Sequence, residues 1–324
     1  MKALLVDDST RQLYEGDVDM PEVGPDDLLV KVKATAVNRA DLLQKRGLYP
    51  PPKGASPVLG LECAGTIEKL GANVDCYSYK QGDRICALLP GGGYAQYVAV
   101  PAKMAMRVPD NLSIEEAAAI PEVFLTAYLA VVYYGKLKPS QTALIHAGAS
   151  GVGTAAIQIV NELGAQAIVT TSKEKQPACL KLGASAAYDR GNFRKQVEEF
   201  TARRGVDLII DPVGAAYWED NLSLLATDGK LILLATMGGR KAPSTDLAVL
   251  LTKRLQIIAT TLRHRPLEEK ILFTRAFWEF AEERFTNGRF RPVIDSIYEW
   301  HEANSAHQRM EANLNIGKIV IRVP

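Results

Sequence analysis

From Thr142 onward the chain alternates short apolar runs with helix-period segments: TALIHA, GVGTAAIQIVNELG, QAIVTT, and a charged stretch ending at KLGA. The rhythm continues through VDLIIDPV, a helix from Trp218 to Leu225, KLILLAT, a helical stretch near 246–254, and LQIIATTL. Strands alternating with helices at this spacing predict a parallel sheet covered on both faces, and runs such as LIID and LILLA suit buried central strands. The first 120 residues read differently. DLLVKVKATAV, CAGTIEKLG and GGYAQYVAVP are β-rich runs parted by Gly and Pro turns. Ser113 and Glu116 form a capping box, and Pro121 bends or interrupts the helix that it opens. After about residue 265 come a long helix (LEEKILFTRAFWEFAEERF), PVIDSIY, a helix near 301–311 and a last strand, GKIVIRV. A lone terminal strand must pair somewhere, and the economical partner is the first β-rich region. Three segments result: 1–120, a βα-repeat domain inserted at 121–264, and a return segment at 265–324.

Composition narrows the function classes. A chain of 324 residues exceeds one comfortable core, which agrees with two domains. Its 38 Lys and Arg balance 37 Asp and Glu and are interleaved with them, so no basic stripe marks a nucleic-acid binder. The opening MKALLVDDST has an apolar run too short for a secretion signal, and the densest later run, LAVLL at 247–251, is flanked by Asp246 and Lys253. Cys63, Cys76, Cys86 and Cys179 are far apart and form no Cys-x-x-Cys pair, which suggests neither a structural zinc nor a disulfide framework. A soluble protein of the reducing cytoplasm is the expectation.

The stretch HAGASGVG at 146–153 carries the first chemistry. A strand feeds it and an amphipathic helix leaves it, with Val152, Ala156, Ile159, Val160 and Leu163 on one face. Gly148, Gly151 and Gly153 suit a sharp turn and a close approach to a diphosphate, with Ala149, Ser150 and Val152 between them. Glycine loops also serve plain packing, but the strand before, the helix after and the βα repeats downstream favour a dinucleotide site. The next strand ends in QAIVTTSKEKQ. Ser172 sits in the turn with Lys173 and Lys175 close behind, where an NAD-type site would present a carboxylate, and this favours the phosphorylated ribose of NADP. Glu174 dissents; as a helix-start residue it reads as a surface charge.

The segments NRADLLQKRGLYPPP, VLGLECAGTI, GDRICALLPGGGYAQY, AAAIPEVFLTAY, IHAGASGVGTAAIQ and NIGKIVI resemble the medium-chain dehydrogenase/reductases, in their zinc-free quinone oxidoreductase (zeta-crystallin-like) branch. AIPEVFLTA and LPGGGYAQY are most similar to the tumour-suppressor-induced quinone oxidoreductases of animals. The resemblance spans the chain. It implies an α/β architecture in which a Rossmann doubly wound parallel sheet is inserted in a GroES-like, β-rich catalytic domain. The family's Ala-x-x-Gly-x-x-Gly loop maps onto Ala147, Ser150 and Gly153, so Ser150 replaces the middle glycine and its hydroxyl could donate to phosphate.

Zinc members of the family place a Cys where Asn38 stands and a His where Leu61 stands, and the lobe with four spaced cysteines has no counterpart. No metal is therefore expected. Without a Lewis acid, alcohol oxidation loses its main electrostatic support, while reduction of an electrophilic acceptor remains feasible. The implied activity is NADPH-dependent quinone reduction. Reduction of the double bond of an enal or enone fits the same cleft, and a non-catalytic NADPH-binding role, crystallin-like or RNA-binding, is the third possibility. By resemblance, Asn38 and Thr126 contact the nicotinamide end, Tyr49 borders the acceptor, and Met237, Leu262 and Asn315 join the cofactor lining. Asn38 could instead cap the helix that follows, Thr126 could bond back within its own helix, and Tyr49 could be a surface aromatic. Glu62 is either a proton donor or half of a buried ion pair. Arg190 stands where relatives bring a tyrosine to the adenosine phosphate, and with Lys175 it would grip a 2′-phosphate. Relatives dimerise through outer strands, which makes LQIIATTL the expected edge of a homodimer.

Overall fold

A computed structural model describes residues 1–242 and 245–324. The chain opens with an antiparallel hairpin, β1 (Lys2–Val6) and β2 (Leu13–Asp17). There follow β3 (Asp27–Ala36), α1 (Arg39–Lys45), β4 (Glu62–Leu70), β5 (Arg84–Leu88), β6 (Tyr97–Pro101), β7 (Ala105–Arg107), α2 (Ile114–Ala118) and α3 (Pro121–Tyr128). The βα repeats come next: β8 (Thr142–Ile145), α4 (Gly151–Glu162), β9 (Gln166–Thr171), α5 (Gln176–Lys181), β10 (Ala186–Asp189), α6 (Phe193–Phe200) and β11 (Val206–Asp211). They close with α7 (Trp218–Leu224), β12 (Leu225–Leu233), α8 (Leu247–Thr252) and β13 (Gln256–Ala259). The return segment adds α9 (Leu267–Thr286), β14 (Ile294–Tyr298), α10 (Ala303–Glu311) and β15 (Lys318–Arg322). No helix among the described residues is long and apolar enough to cross a membrane.

Two compact units result. The first comprises Met1–Leu125 and Arg263–Pro324, the second Thr126–Leu262. The breaks thus fall at 125/126 and 262/263, where the sequence places them at 120/121 and 264/265. In the first unit a seven-stranded sheet runs β14-β15-β3-β4-β5-β7, with β6 also paired to β3. The terminal strand finds its partner here: β15 lies antiparallel to β3, with Val320 opposite Ala36 and Ile321 opposite Thr35. In the second unit six parallel strands run β10-β9-β8-β11-β12-β13, the doubly wound order with its switch between β8 and β11.

Local signals decide where the elements start. Ser113 caps α2, its side chain accepting from the Glu116 N–H, while the Glu116 carboxylate accepts from the Ser113 N–H. Pro121 does not kink a continuous helix. It takes the first position of α3, where its missing N–H costs nothing. Asp246 caps α8 by accepting from the Ala248 N–H. In the second unit Leu144, Ile168, Ile209 and Leu231, one from each of four neighbouring strands, pack with Phe193 and Val197 of α6.

An aromatic cluster fastens α9 to the first unit. Phe285 meets Phe124 at 4.9 Å and Phe290 at 5.7 Å between ring centroids, and all three rings are buried. Edge-to-face pairs of this kind add to the large apolar area that each ring removes from water. Phe285→Ala is expected to lower the unfolding free energy by about 3–5 kcal/mol, and Ser113→Ala, which loses only a cap, by about 1 kcal/mol. Denaturant titration of both variants checks the ranking.

Candidate functional site

At the end of β3 the chain turns into α1 through Asn38, and the turn is built around buried charge. Asn38 holds the N-cap position, but its side chain makes no capping bond. Its amide donates to the Ala36 carbonyl (3.2 Å) and to Glu62 Oε1 (2.7 Å), while its Oδ1 accepts from Lys318 Nζ at 2.6 Å. The capping work falls to Asp41, whose carboxylate accepts from the Asn38 N–H (2.8 Å) and the Gly60 N–H (3.0 Å). Lys318 completes the cluster. Its ammonium also donates to Glu62 Oε1 (2.8 Å) and the Val37 carbonyl (3.0 Å), so all three of its protons are used.

Glu62 is fully buried, and its second oxygen accepts from the Glu122 N–H at 2.9 Å. This is the geometry of a buried ion pair, the second of the two roles open to Glu62 in the sequence. Leu61, beside it, is buried and apolar. Burial pushes the Asp41 carboxyl up to about 6, against two backbone N–H bonds and the Lys318 charge. Glu122 is half-buried. Burial first and the Glu62 charge second push its carboxyl up to about 8, while Lys318 and Arg263 pull it down.

Tyr49 is not a free surface aromatic. It is half-buried, and its hydroxyl lies 3.2 Å from His264 Nδ1. Asn315 is buried and donates to the Gly317 carbonyl (2.8 Å) at the turn before β15.

In the second unit, HAGASGVG links β8 to α4. Ala147, not a glycine, takes the left-handed conformation of the sharp turn, with φ of 53°. The glycines answer a packing constraint instead. A Cβ on Gly148 would stand 2.4 Å from Val169 Cβ, and one on Gly153 would stand 2.5 Å from the carbonyl oxygens of Ala147 and Gly148. Ser150 caps α4, its Oγ accepting from the Gly153 N–H at 3.1 Å, which leaves the hydroxyl proton available. The Gly148 N–H is engaged by the Thr170 carbonyl and the Ser150 N–H by that of Ala147. Among the described residues, the N–H groups of Ala149, Gly151 and Val152 therefore remain to meet an anion at the start of a twelve-residue helix.

Beneath the loop, His146 ties three elements together. Its Nδ1 lies 2.9 Å from Thr170 Oγ1 and its Nε2 lies 2.7 Å from Asn221 Oδ1, while the Asn221 amide donates to Asp211 Oδ2 at 3.0 Å. An amide oxygen can only accept, so Nε2 carries the proton. Burial pushes the imidazole down to about 4, and it stays neutral.

Ser172 and Arg190 each follow one residue after the paired strand ends Thr171 and Asp189, which puts both at the same end of the two strands. Lys175 ends the short turn that Ser172 begins, its N–H bonded to the Ser172 carbonyl at 3.0 Å. Glu174 lies there too. Its carboxyl is held below the usual range by its own backbone N–H and the Ser172 side chain, and Arg190 contributes. Lys175 and Arg190 thus share their corner with two carboxylates, Glu174 and Asp189. Met237 is exposed and lines an open depression of about 950 Å³ with Ala215, Ala216, Arg240 and Lys241. Thr126 is half-buried and Leu262 buried.

The residues that sequence missed are Asp41, Glu122, Lys318, Arg263 and His264. Lys318 had a signal, since a lysine leading directly into the apolar run Ile319–Ile321 is out of place in a buried strand unless it is paired.

Two family models match the chain: alcohol dehydrogenase GroES-like domain over residues 24–110 and zinc-binding dehydrogenase over residues 151–276. The chain belongs to the medium-chain dehydrogenase/reductase family. It is 28% identical over 316 residues to the synaptic vesicle membrane protein VAT-1 homolog of Danio rerio, a match covering 93% of this chain and 65% of that protein. It is 28% identical over 326 residues to quinone oxidoreductase-like protein 2 of Mus musculus, covering 99% and 91%. It spans only 14% of a phenolphthiocerol/phthiocerol polyketide synthase chain of Mycobacterium tuberculosis, at 28% identity over 310 residues. Among solved structures, a mycobacterial protein complexed with NADPH superposes with a TM-score of 0.88 at 27% identity, over all of both chains.

Removing Lys318 would leave Glu62 charged and unpaired in the interior. Lys318→Met is expected to cost about 3–5 kcal/mol, with much of it recovered in the Lys318→Met, Glu62→Leu double variant; a double-mutant cycle in urea measures this. Glu122 gives a pH dependence of definite sign. Its folded pKa lies above the unfolded value, so the folded state holds the extra proton and stability falls as pH rises from 4.5 toward about 8. Above about pH 6.5, a histidine's ordinary value, His146 is neutral in both states and does not offset the fall. Glu122→Gln should flatten the decline between about pH 6.5 and 8 in melting curves.

Proposed function

We propose that this chain is an NADPH-dependent, zinc-independent quinone oxidoreductase of the quinone oxidoreductase-like branch. Lys318 carries the assignment. A buried ammonium 2.6 Å from Asn38 and 2.8 Å from Glu62 supplies fixed positive charge beside the two residues that would otherwise draw a divalent cation. Such an arrangement suits an electrophilic acceptor that needs no Lewis acid.

The donor set of the second unit fits a dinucleotide. The N–H groups of Ala149, Gly151 and Val152, with the Ser150 hydroxyl, would meet the diphosphate, and Ser172, Lys175 and Arg190 would hold the 2′-phosphate against the opposing Glu174. NADPH supplies the hydride. On this reading Thr126, Met237, Leu262 and Asn315 line the cofactor, and Tyr49 borders the acceptor. Asn38 offers a ligand one remaining lone pair on Oδ1, because its other polar positions are filled within the chain. A cytoplasmic homodimer joined at β13, which is an edge strand with Ile257 exposed, completes the proposal.

NADPH oxidation with a panel of ortho-quinones, para-quinones and enals tests the assignment: turnover with quinones that survives chelators is expected, and turnover with enals alone would replace the substrate class. Tight NADPH binding with no turnover on any acceptor would point to a binding protein. Replacing Lys175 and Arg190 together by alanine should raise the KM for NADPH about tenfold or more and leave NADH kinetics nearly unchanged, because each charge-assisted contact is worth about 1.5–3 kcal/mol before screening. Equal losses with both cofactors would count against a 2′-phosphate site at this corner.

A further inference from the structure

We infer that Tyr49 and His264 form an acid pair that delivers one proton per turnover to the acceptor, an assignment that rests on the reductase function proposed above. The two residues lie 215 positions apart in sequence, yet the phenol oxygen is 3.2 Å from His264 Nδ1 and the rings meet edge-on, with centroids 5.0 Å apart and planes at 82°. Arg263 holds the ring from another side, its guanidinium carbon 5.3 Å from the ring centre. That guanidinium is itself anchored. It donates to the Pro90 carbonyl (2.9 Å), to Gln44 Oε1 (2.6 Å) and to the carbonyl of Tyr49 (3.4 Å), and Arg263 is only 6% exposed. The loop that carries Tyr49 is therefore tied at backbone, ring and hydroxyl.

The chemistry of the pair is directional. A phenol has one proton and two lone pairs, so its oxygen can accept Nδ1–H from His264 while its own O–H points outward to a ligand. His264 is exposed, and a proton lost through the phenol can be replaced from water through the imidazole. Arg263 favours ionisation of the Tyr49 phenol, and Glu122 opposes it once its own carboxyl has ionised. Burial is the largest influence and sides with Glu122, so the hydroxyl titrates above its ordinary value and remains a donor. The acceptor gains two electrons and one hydrogen as hydride from the nicotinamide and one proton from the Tyr49 O–H. The Nδ1 proton of His264 restores the phenol, and solvent restores the imidazole. A quinone leaves as the hydroquinone, the nicotinamide leaves oxidised, and no bond to protein forms.

Tyr49→Phe and His264→Asn test the pair with a quinone at saturating NADPH. Each should lower kcat about tenfold or more with NADPH affinity, read by fluorescence titration, unchanged. The double variant should be no slower than the slower single variant, because the two groups act as one unit. Independently of turnover, ¹H–¹⁵N spectra at one fixed pH should show the His264 ring signals shifting in Tyr49→Phe, because the Nδ1 contact is lost. Full kcat in both variants, additive losses, or His264 ring signals indifferent to Tyr49→Phe overturns the pair while leaving the reductase function standing. A wild type inactive on every quinone and enal overturns both.

Discussion

The ion pair between Lys318 and Glu62 is the constraint around which the first unit is arranged. Two opposite charges removed from water gain only when hydrogen bonds also serve their remaining protons and lone pairs; here all three ammonium protons are donated and both carboxylate oxygens accept. The ammonium reaches the Val37 carbonyl and Asn38 at the mouth of α1, the carboxylate holds the first turn of α3 through the Glu122 N–H, and Lys318 itself begins β15. A single pair thus fixes the relative positions of four elements. Its effect reaches the neighbours, because the negative charge of Glu62 helps to keep the Glu122 carboxyl protonated.

The second unit solves a comparable problem around a neutral imidazole. The ends of β8, β9 and β11 must be held at a fixed spacing beneath a loop that offers its N–H groups to an anion. His146, Thr170, Asn221 and Asp211 do this as a continuous chain of donors and acceptors. Asp211 also accepts from the N–H groups of Val213 and Gly214, so its charge is met by three donors. Neutrality matters here. An imidazolium under the loop would have to be desolvated, and burial forbids it near neutral pH.

The parallel sheet, the capping box and the return of the last strand were legible because each follows from periodicity or from a residue with one conformational use. The individual bonds of the site were less so. Asn38 before a helix reads as a cap by local grammar, and only tertiary contacts reveal that Lys318 and Glu62 have claimed its side chain while Asp41 does the capping. Three glycines in a turn suggest that glycine makes the turn, yet Ala147 carries the positive φ and Gly148 and Gly153 answer to Val169 and to nearby carbonyls. Tyr49 could be picked out by resemblance, but its partner His264 could not, since nothing in a one-dimensional pattern links residues 215 positions apart. Strong propensities are local, and charge pairing is not.

That separation also has a consequence in time. Glu62 and Lys318 lie 256 positions apart, with the whole contiguous second unit between them. At about 5–20 residues per second, a ribosome needs on the order of tens of seconds to cover that distance. Throughout that interval the nascent first unit carries a carboxylate with no counter-ion and a β3 whose outer edge is open where β15 will later lie. An open edge is a template for wrong pairings, so the newborn chain is most vulnerable to aggregation in the part of the first unit that is translated before the second.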